Sequence, residues 1–170
     1  MVTTAYIVLV LAVAVQRLAE VRISRRHVRA LKARGAVEHA AYQVPVMVAV
    51  HAMWLVACLA EPLLLSRPVV PALSTVALTL LLAGQVLRWA ARRALGPRWT
   101  VPIITLPGVP HVTAGPFRYL NHPNYVGVVI EIAALPLIHA AYVTAGAFTV
   151  ANAVLLSWRI AAEERALRRG

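Results

Sequence analysis

Charge is missing from four stretches of this chain, and the missing stretches are long. Residues 1–16 carry no Asp, Glu, Lys or Arg, nor do residues 39–60 or 68–87, and between Arg118 and Arg159 the sole charged side chain is Glu131. A helix needs about 20 apolar residues to cross the hydrocarbon core of a bilayer, so three runs are span-sized and the last is long enough for two. Pro136, His139 and Gly146 interrupt that last run and predict a helical hairpin, about 123–138 and 141–162. The expected fold class is all-α, an integral membrane protein with about five transmembrane helices, the last two forming the hairpin. The first run has no charged segment ahead of it and no small-x-small site closing it, so it reads as a span rather than a cleavable signal.

Composition agrees. Hydrophobic residues make up 61% and charged residues 14%, where an average soluble domain has about 45–50% and about 25%. This excludes a disordered chain, and one cysteine, Cys58, excludes a disulfide scaffold; inside an apolar run it reads as a small core residue. The net charge of +11 comes with no Asp, and its cations are set between long uncharged runs. That pattern points to an anionic bilayer surface and away from nucleic acid. Of the 17 Lys and Arg, all but Arg67 fall in 17–34, 88–118 or the tail from Arg159. The positive-inside rule then puts the N-terminus out and the C-terminus in the cytoplasm, in what reads as a bacterial cytoplasmic membrane. No repeat, low-complexity segment or long linker divides the chain, so 1–170 reads as one membrane-embedded domain.

Residues 16–34 continue the helical pattern, with Leu18, Val21, Val28 and Leu31 on one side and Arg22, Arg25, Arg26 and Arg29 elsewhere. They read either as a basic helix at the membrane surface or as a solvated connection that only sets orientation. Residues 95–122 hold Pro97, Pro102, Pro107, Pro110 and Pro116 with Gly96, Gly108 and Gly115, and cannot be one helix. A loop of this length leading into a membrane helix is expected to act as a cytoplasmic cap. At His122-Pro123 a helix should start, because proline disfavours helix for the residue before it and suits the first turn. The amides of Asn124, Tyr125 and Val126 would then lack intrahelical acceptors and suit a carboxylate or phosphate.

Two further groups carry chemistry. Arg159 and Glu163 are four residues apart on one helix face, and Glu163 and Glu164 oppose the dipole at a helix C-terminus, which asks for another partner such as a cationic ligand group. Glu131 is an ionisable group inside a membrane segment and should face a partner or a cavity. No phosphate-binding loop, dinucleotide fingerprint or nucleophile elbow is present. The six histidines include no His-x-x-x-His pair, so no metal site is expected. His51 reads as a satisfied intramembrane polar residue. Trp89, Trp99 and Trp158, at segment ends, read as interfacial anchors.

The run Gly115-Pro-Phe-Arg-Tyr-Leu-Asn-His-Pro-Asn-Tyr-Val-Gly127, followed by a hydrophobic hairpin and Arg159-Ile-Ala-Ala-Glu163-Glu164, resembles the isoprenylcysteine carboxyl methyltransferase family. Gln16-Arg-Leu-Ala-Glu20 and the short length resemble its small bacterial members, some of them associated with type III polyketide synthases and acting on alkylpyrones or phenolic lipids. The resemblance implies S-adenosylmethionine as cofactor. It also implies His122, Pro123, Asn124 and Tyr125 as cofactor-binding, with further contacts from Val109, His111, Val112 and Phe117, and Tyr119 as another aromatic for the sulfonium. It places Arg159 toward substrate and Glu163 toward cofactor, and Glu131 joins Arg159 as a candidate on the substrate side. Many members carry Arg before His-Pro where this chain has Asn121; if that Arg contributes charge in relatives, either Arg118 or another cation compensates here or the site differs.

The chemistry implied is displacement of a methyl group from a sulfonium by an oxygen nucleophile. A carboxylate or enol ionised at neutral pH needs no strong general base, whereas a phenol does. The expected partners are a lipophilic small-molecule acceptor and membrane lipids, with the acceptor arriving laterally between helices. Membrane sterol-type reductases, which bind NADPH, share an Arg-His-Pro-x-Tyr element, and phospholipid N-methyltransferases share Pro-x-Tyr and Glu-Glu. A non-catalytic membrane partner or half of a transporter is the alternative from a different class, and Glu131 is the feature that favours it.

Overall fold

The computed structural model describes residues 2–168; Met1 of the first uncharged run and Arg169 and Gly170 of the basic tail lie outside them. Five helices form: α1 (Val2–Lys32), α2 (Gln43–Leu64), α3 (Pro71–Leu95), α4 (Pro123–Leu137) and α5 (Tyr142–Leu167). Four of them, all except α4, are long and apolar enough to cross a membrane. With 15 residues, α4 rises about 22 Å, less than the ~30 Å of hydrocarbon. Leu11, Val15, Leu18, Val56, Leu82, Val86, Val150 and Val154 face outward. Outer faces this apolar suit lipid rather than water.

The hairpin forms where the sequence places it, and the chain turns at His139-Ala140-Ala141. Leu137 and Pro136 carbonyls there accept from the Ala140 and Ala141 amides at 3.2 and 3.0 Å. Pro123 opens α4 after His122, whose backbone lies outside the helical region at φ −129° and ψ 60°. The basic stretch 16–34 continues α1 as far as Lys32, and the 31 residues of that helix span about 46 Å and outrun the hydrocarbon. Arg17 and Arg88 are not flank charges at the cytoplasmic face as the charge count assumed. Both point into the bundle.

Helices α3 and α4 approach closely where glycine faces glycine. A Cβ on Gly127 would lie 2.8 Å from the Gly84 carbonyl oxygen and collide with the Arg88 side chain. Small residues at such crossings let backbones approach where lipid supplies no hydrophobic drive. The apolar core runs through Tyr6, Val10, Trp54, Cys58, Leu81, Ile132 and Leu135. Tyr6 donates to the Cys58 carbonyl at 3.0 Å and Trp54 to the Ile132 carbonyl at 3.2 Å.

At one end of the bundle α2 meets α3 and α4 meets α5, and Arg67 is the cation there. Glu61 accepts from the Val143 and Thr144 amides at 3.2 and 2.6 Å and pairs with Arg67 at 3.3 Å. It thereby caps α5, whose own N-cap residue, Ala141, offers no side-chain acceptor. The opposite end gathers the C-terminal ends of α1, α3 and α5. It is closed by β1 (Val37–His39) and β2 (Ile103–Thr105), an antiparallel pair with Val37 opposite Thr105. These strands have no counterpart in the sequence reading, since three residues are too few to show an alternating pattern.

Candidate active site

Four arginines and two glutamates organise the interior. Glu131 of α4, 0% exposed, accepts from Arg88 of α3 at 2.5 Å and from Arg17 of α1 at 2.8 Å. Glu20 accepts from Arg88 and Arg92 at 2.6 Å each and from Arg17 at 3.3 Å. Gln16 bridges Glu20 to Gln85 at 2.9 Å on both sides. Three guanidinium groups thus share two carboxylates, which leaves one positive charge in excess inside the bundle. Arg159 adds another. It is 4% exposed and donates to the Val101 carbonyl at 2.8 Å. Among the described residues no carboxylate lies within ion-pair distance of it. A buried guanidinium without an anion is unfavourable unless a ligand brings one.

Beside these cations lies a cavity of about 300 Å³. Met47, Val48, His51 and Leu55 of α2 line one wall, Ala14, Leu18 and Val21 of α1 another, and Leu155, Leu156 and Arg159 of α5 a third. Asn124, Tyr125, Asn152, Arg17, Arg88 and Trp99 complete it. Leu18, Val48 and Ala52 line the cavity and are also exposed on the outer surface, so the cavity opens between α1 and α2 toward lipid. The stretch 99–101 roofs it. Its Trp99 carbonyl accepts from His27 Nδ1 at 2.8 Å, and its Val101 amide donates to Ser24 at 2.8 Å. Trp99, expected as an interfacial anchor, is buried in this roof.

Arg159 and Glu163 share a helix face but form no ion pair with each other. Glu163 instead accepts from the Tyr125 hydroxyl at 2.6 Å and lies 3.9 Å from His122 Nδ1. The His122 and Tyr125 rings stack at 5.4 Å and 13°, and the Arg159 guanidinium sits 5.9 Å from the Tyr125 ring centre. Tyr125 therefore forms the partition between Arg159 in the cavity and the half-exposed His122–Glu163 side. The free-amide expectation needs correction: the His122 carbonyl takes the Tyr125 and Val126 amides at 3.0 and 3.2 Å. Of the three, only the Asn124 amide reaches no backbone carbonyl among the described residues. Pro123 is buried beneath it.

The loop residues are not all brought to this place. Val109 and His111 are exposed, and Val112 and Phe117 half-buried, on a segment tied back to the end of α3 by Arg98 donating to the Pro110 carbonyl at 2.8 Å. Tyr119 is 84% exposed, and Glu164 is exposed. Glu131 reaches the site through Arg17 and Arg88 and does not itself line the cavity. Arg17, Glu20, Arg88, His51 and Asn152 were not read from the sequence as site residues. The signal for the first three was Glu131 itself, since an intramembrane carboxylate requires cations and Arg17 and Arg88 bound two of the uncharged runs. Among the described residues no group of three His, Cys, Asp or Glu is placed to hold a metal.

A sequence model of the isoprenylcysteine carboxyl methyltransferase (ICMT) family matches residues 76–169, the stretch holding His122, Tyr125, Arg159 and Glu163. The uncharacterized protein YpbQ of Bacillus subtilis (strain 168) is 37% identical over 154 residues, covering 91% of this chain and 91% of its own length.

Proposed function

Because the chain belongs to the isoprenylcysteine carboxyl methyltransferase family, we propose that it is a membrane O-methyltransferase using S-adenosylmethionine and a lipid-tailed acceptor. The observation that carries this reading is Arg159. It is buried and without an anion, at the wall of a cavity open to lipid, and one aromatic ring away from the polar His122–Glu163 side. That arrangement suits a two-substrate site with an apolar door and a polar one.

The residues present fit the cofactor. When bound, S-adenosylmethionine supplies a methyl carbon on a sulfonium, already activated for displacement by oxygen. Glu163 accepts from an ammonium or ribose hydroxyl, and the Asn124 amide offers a donor to a carboxylate. The stacked His122 and Tyr125 rings present an aromatic face to a cation. The work left to the protein is alignment and exclusion of water.

The acceptor's oxygen sits against Arg159, which holds its negative charge, and its tail leaves between Leu18 and Val48 into the bilayer. Acceptors of this form include an isoprenylcysteine-like carboxylate and the enol or phenol of an alkylpyrone or alkylresorcinol. The basic end of the bundle faces the cytoplasm, where the cofactor is made available.

The test is transfer of a labelled methyl group to long-chain carboxylate and hydroxyl acceptors in reconstituted bilayers. Arg159→Ala is expected to lower turnover on the order of 10²–10³-fold, as loss of one anion-stabilising donor does, while retaining S-adenosylhomocysteine binding. Full turnover in Arg159→Ala rejects its role, and cofactor binding without transfer to oxygen of either acceptor rejects the O-methyl assignment.

A further inference from the structure

Between the C-terminal halves of α1 and α3, at the basic end of the bundle, lies an open groove of about 480 Å³ that the methyl-transfer site does not use. Ile23 and His27 of α1 form one bank, Trp89, Arg92 and Arg93 of α3 the other, and Trp99 completes it. No carboxylate lines it. Each arginine is set against an indole: Arg93 lies 5.3 Å from the centre of the Trp89 ring and Arg92 5.7 Å from that of Trp99, within the range at which a ring face attracts a cation. Arg92 is held further by Glu20 at 2.6 Å. Glu20 and Glu131 are shared among Arg17, Arg88 and Arg92, so the unbalanced positive charge of that cluster reaches the groove through Arg92. Arg93 is exposed and, among the described residues, pairs with no carboxylate.

The face of α3 on the membrane side of the groove is apolar. Leu82, Val86, Trp89 and Arg93 follow one another at spacings of four, three and four residues, so they share one side of the helix, and all four are exposed. Two aliphatic side chains, an indole and a guanidinium in that order match the polarity of a phospholipid read from acyl chain through glycerol ester to phosphate. Trp89 lies about 27 Å along α3 from Pro71, close to the ~30 Å of hydrocarbon, which puts it at the depth of interfacial tryptophans. Basic pockets between membrane helices at that depth take anionic head groups. A soluble anion would use the arginines and leave the aliphatic stripe beside them without a part.

We propose that this groove binds an anionic phospholipid, its headgroup phosphate on Arg92 and Arg93 and an acyl chain along Val86 and Leu82. Trp99 belongs both to the groove and to the roof of the acceptor cavity, and His27 bonds the Trp99 carbonyl at 2.8 Å. A bound headgroup therefore braces that roof from outside, and the lipid is a standing part of the wall rather than a reactant.

The experiment is native mass spectrometry of the full chain, delipidated in detergent and offered phosphatidylglycerol and phosphatidylcholine with the same acyl chains at equal concentration. Wild-type protein is expected to retain one phosphatidylglycerol in preference to phosphatidylcholine by about 10-fold or more. A basic residue near an anionic surface contributes about fivefold in affinity, so Arg93→Gln is expected to cut the preference by about that factor. Trp89→Leu, which removes the ring beside the cation and keeps the charge, is expected to lower it as well. Arg29→Gln, an equal loss of charge at an exposed residue that does not line the groove, is expected to leave it within about twofold of wild type. All three variants are expected to unfold at the wild-type temperature without lipid, and added phosphatidylglycerol to raise the midpoint of wild type by more than that of Arg93→Gln. Equal retention of the two lipids overturns the proposal, and so does the same loss in Arg29→Gln as in Arg93→Gln, which is diffuse attraction to the basic end. Displacement of the lipid by glycerol phosphate at the lipid's own concentration overturns it in favour of a soluble phosphate ligand. None of these outcomes bears on the methyltransferase reading, which S-adenosylhomocysteine binding tests separately.

Discussion

Replacing Glu131 by Gln removes the anion shared by Arg17 and Arg88, and Arg88 is 1% exposed. Breaking a buried pair from one side costs about 3–5 kcal/mol, because the stranded charge cannot reach water. Glu131→Gln is therefore expected to lower the thermal midpoint in detergent steeply, and Arg88→Met added to it to recover part of the loss. A double variant no better than the single one contradicts the pairing. Gly127→Ala is the steric counterpart. Its Cβ would press on the Gly84 carbonyl and on the Arg88 stem, for an expected loss of about 1–3 kcal/mol, read by the same unfolding assay. At this scale the sequence showed the need and not its answer. Glu131 was visible as a charge inside an apolar run, but Arg17 and Arg88 bound such runs and read as flanking charges. Only the depth to which α1 and α3 carry them makes them its partners.

Helix ends tell the same story one level up. Proline and the residue before it marked the start of α4, and the Pro136-to-Gly146 interruption marked the hairpin, because both are local steric effects. The cap of α5 was not legible. It is Glu61 from α2, a contact across the fold. Glu61→Ala is expected to cost about 1–2 kcal/mol, in the range of lost caps and helix-dipole partners, and to loosen hydrogen-exchange protection at Val143 and Thr144 specifically. Unchanged protection there contradicts the cap. The strands β1 and β2 escaped for a related reason, since each is three residues long and exists through a partner far away in the chain.

For the whole molecule, charge-free runs and Lys and Arg placement were enough to give the helical class, the hairpin and the single cation at the far end. They gave no view of the cavity, which is assembled from side chains on all five helices and from the 99–101 stretch. Orientation is a property of the whole and is directly testable. Cys58 is the one cysteine and is buried, so a Cys58→Ala background accepts single reporters. Leu65→Cys, in the Arg67 turn, is expected to react with an impermeant maleimide on intact cells, and Arg165→Cys only after permeabilisation. The reverse pattern inverts the topology. The central claim, a cofactor site built on Tyr125 and Glu163, is tested most directly by calorimetry of S-adenosylhomocysteine binding to the purified protein, with NADPH as the control ligand. Saturable binding of S-adenosylhomocysteine alone, abolished in Glu163→Ala, is the predicted result; binding of NADPH instead, or binding untouched by Glu163→Ala, contradicts it.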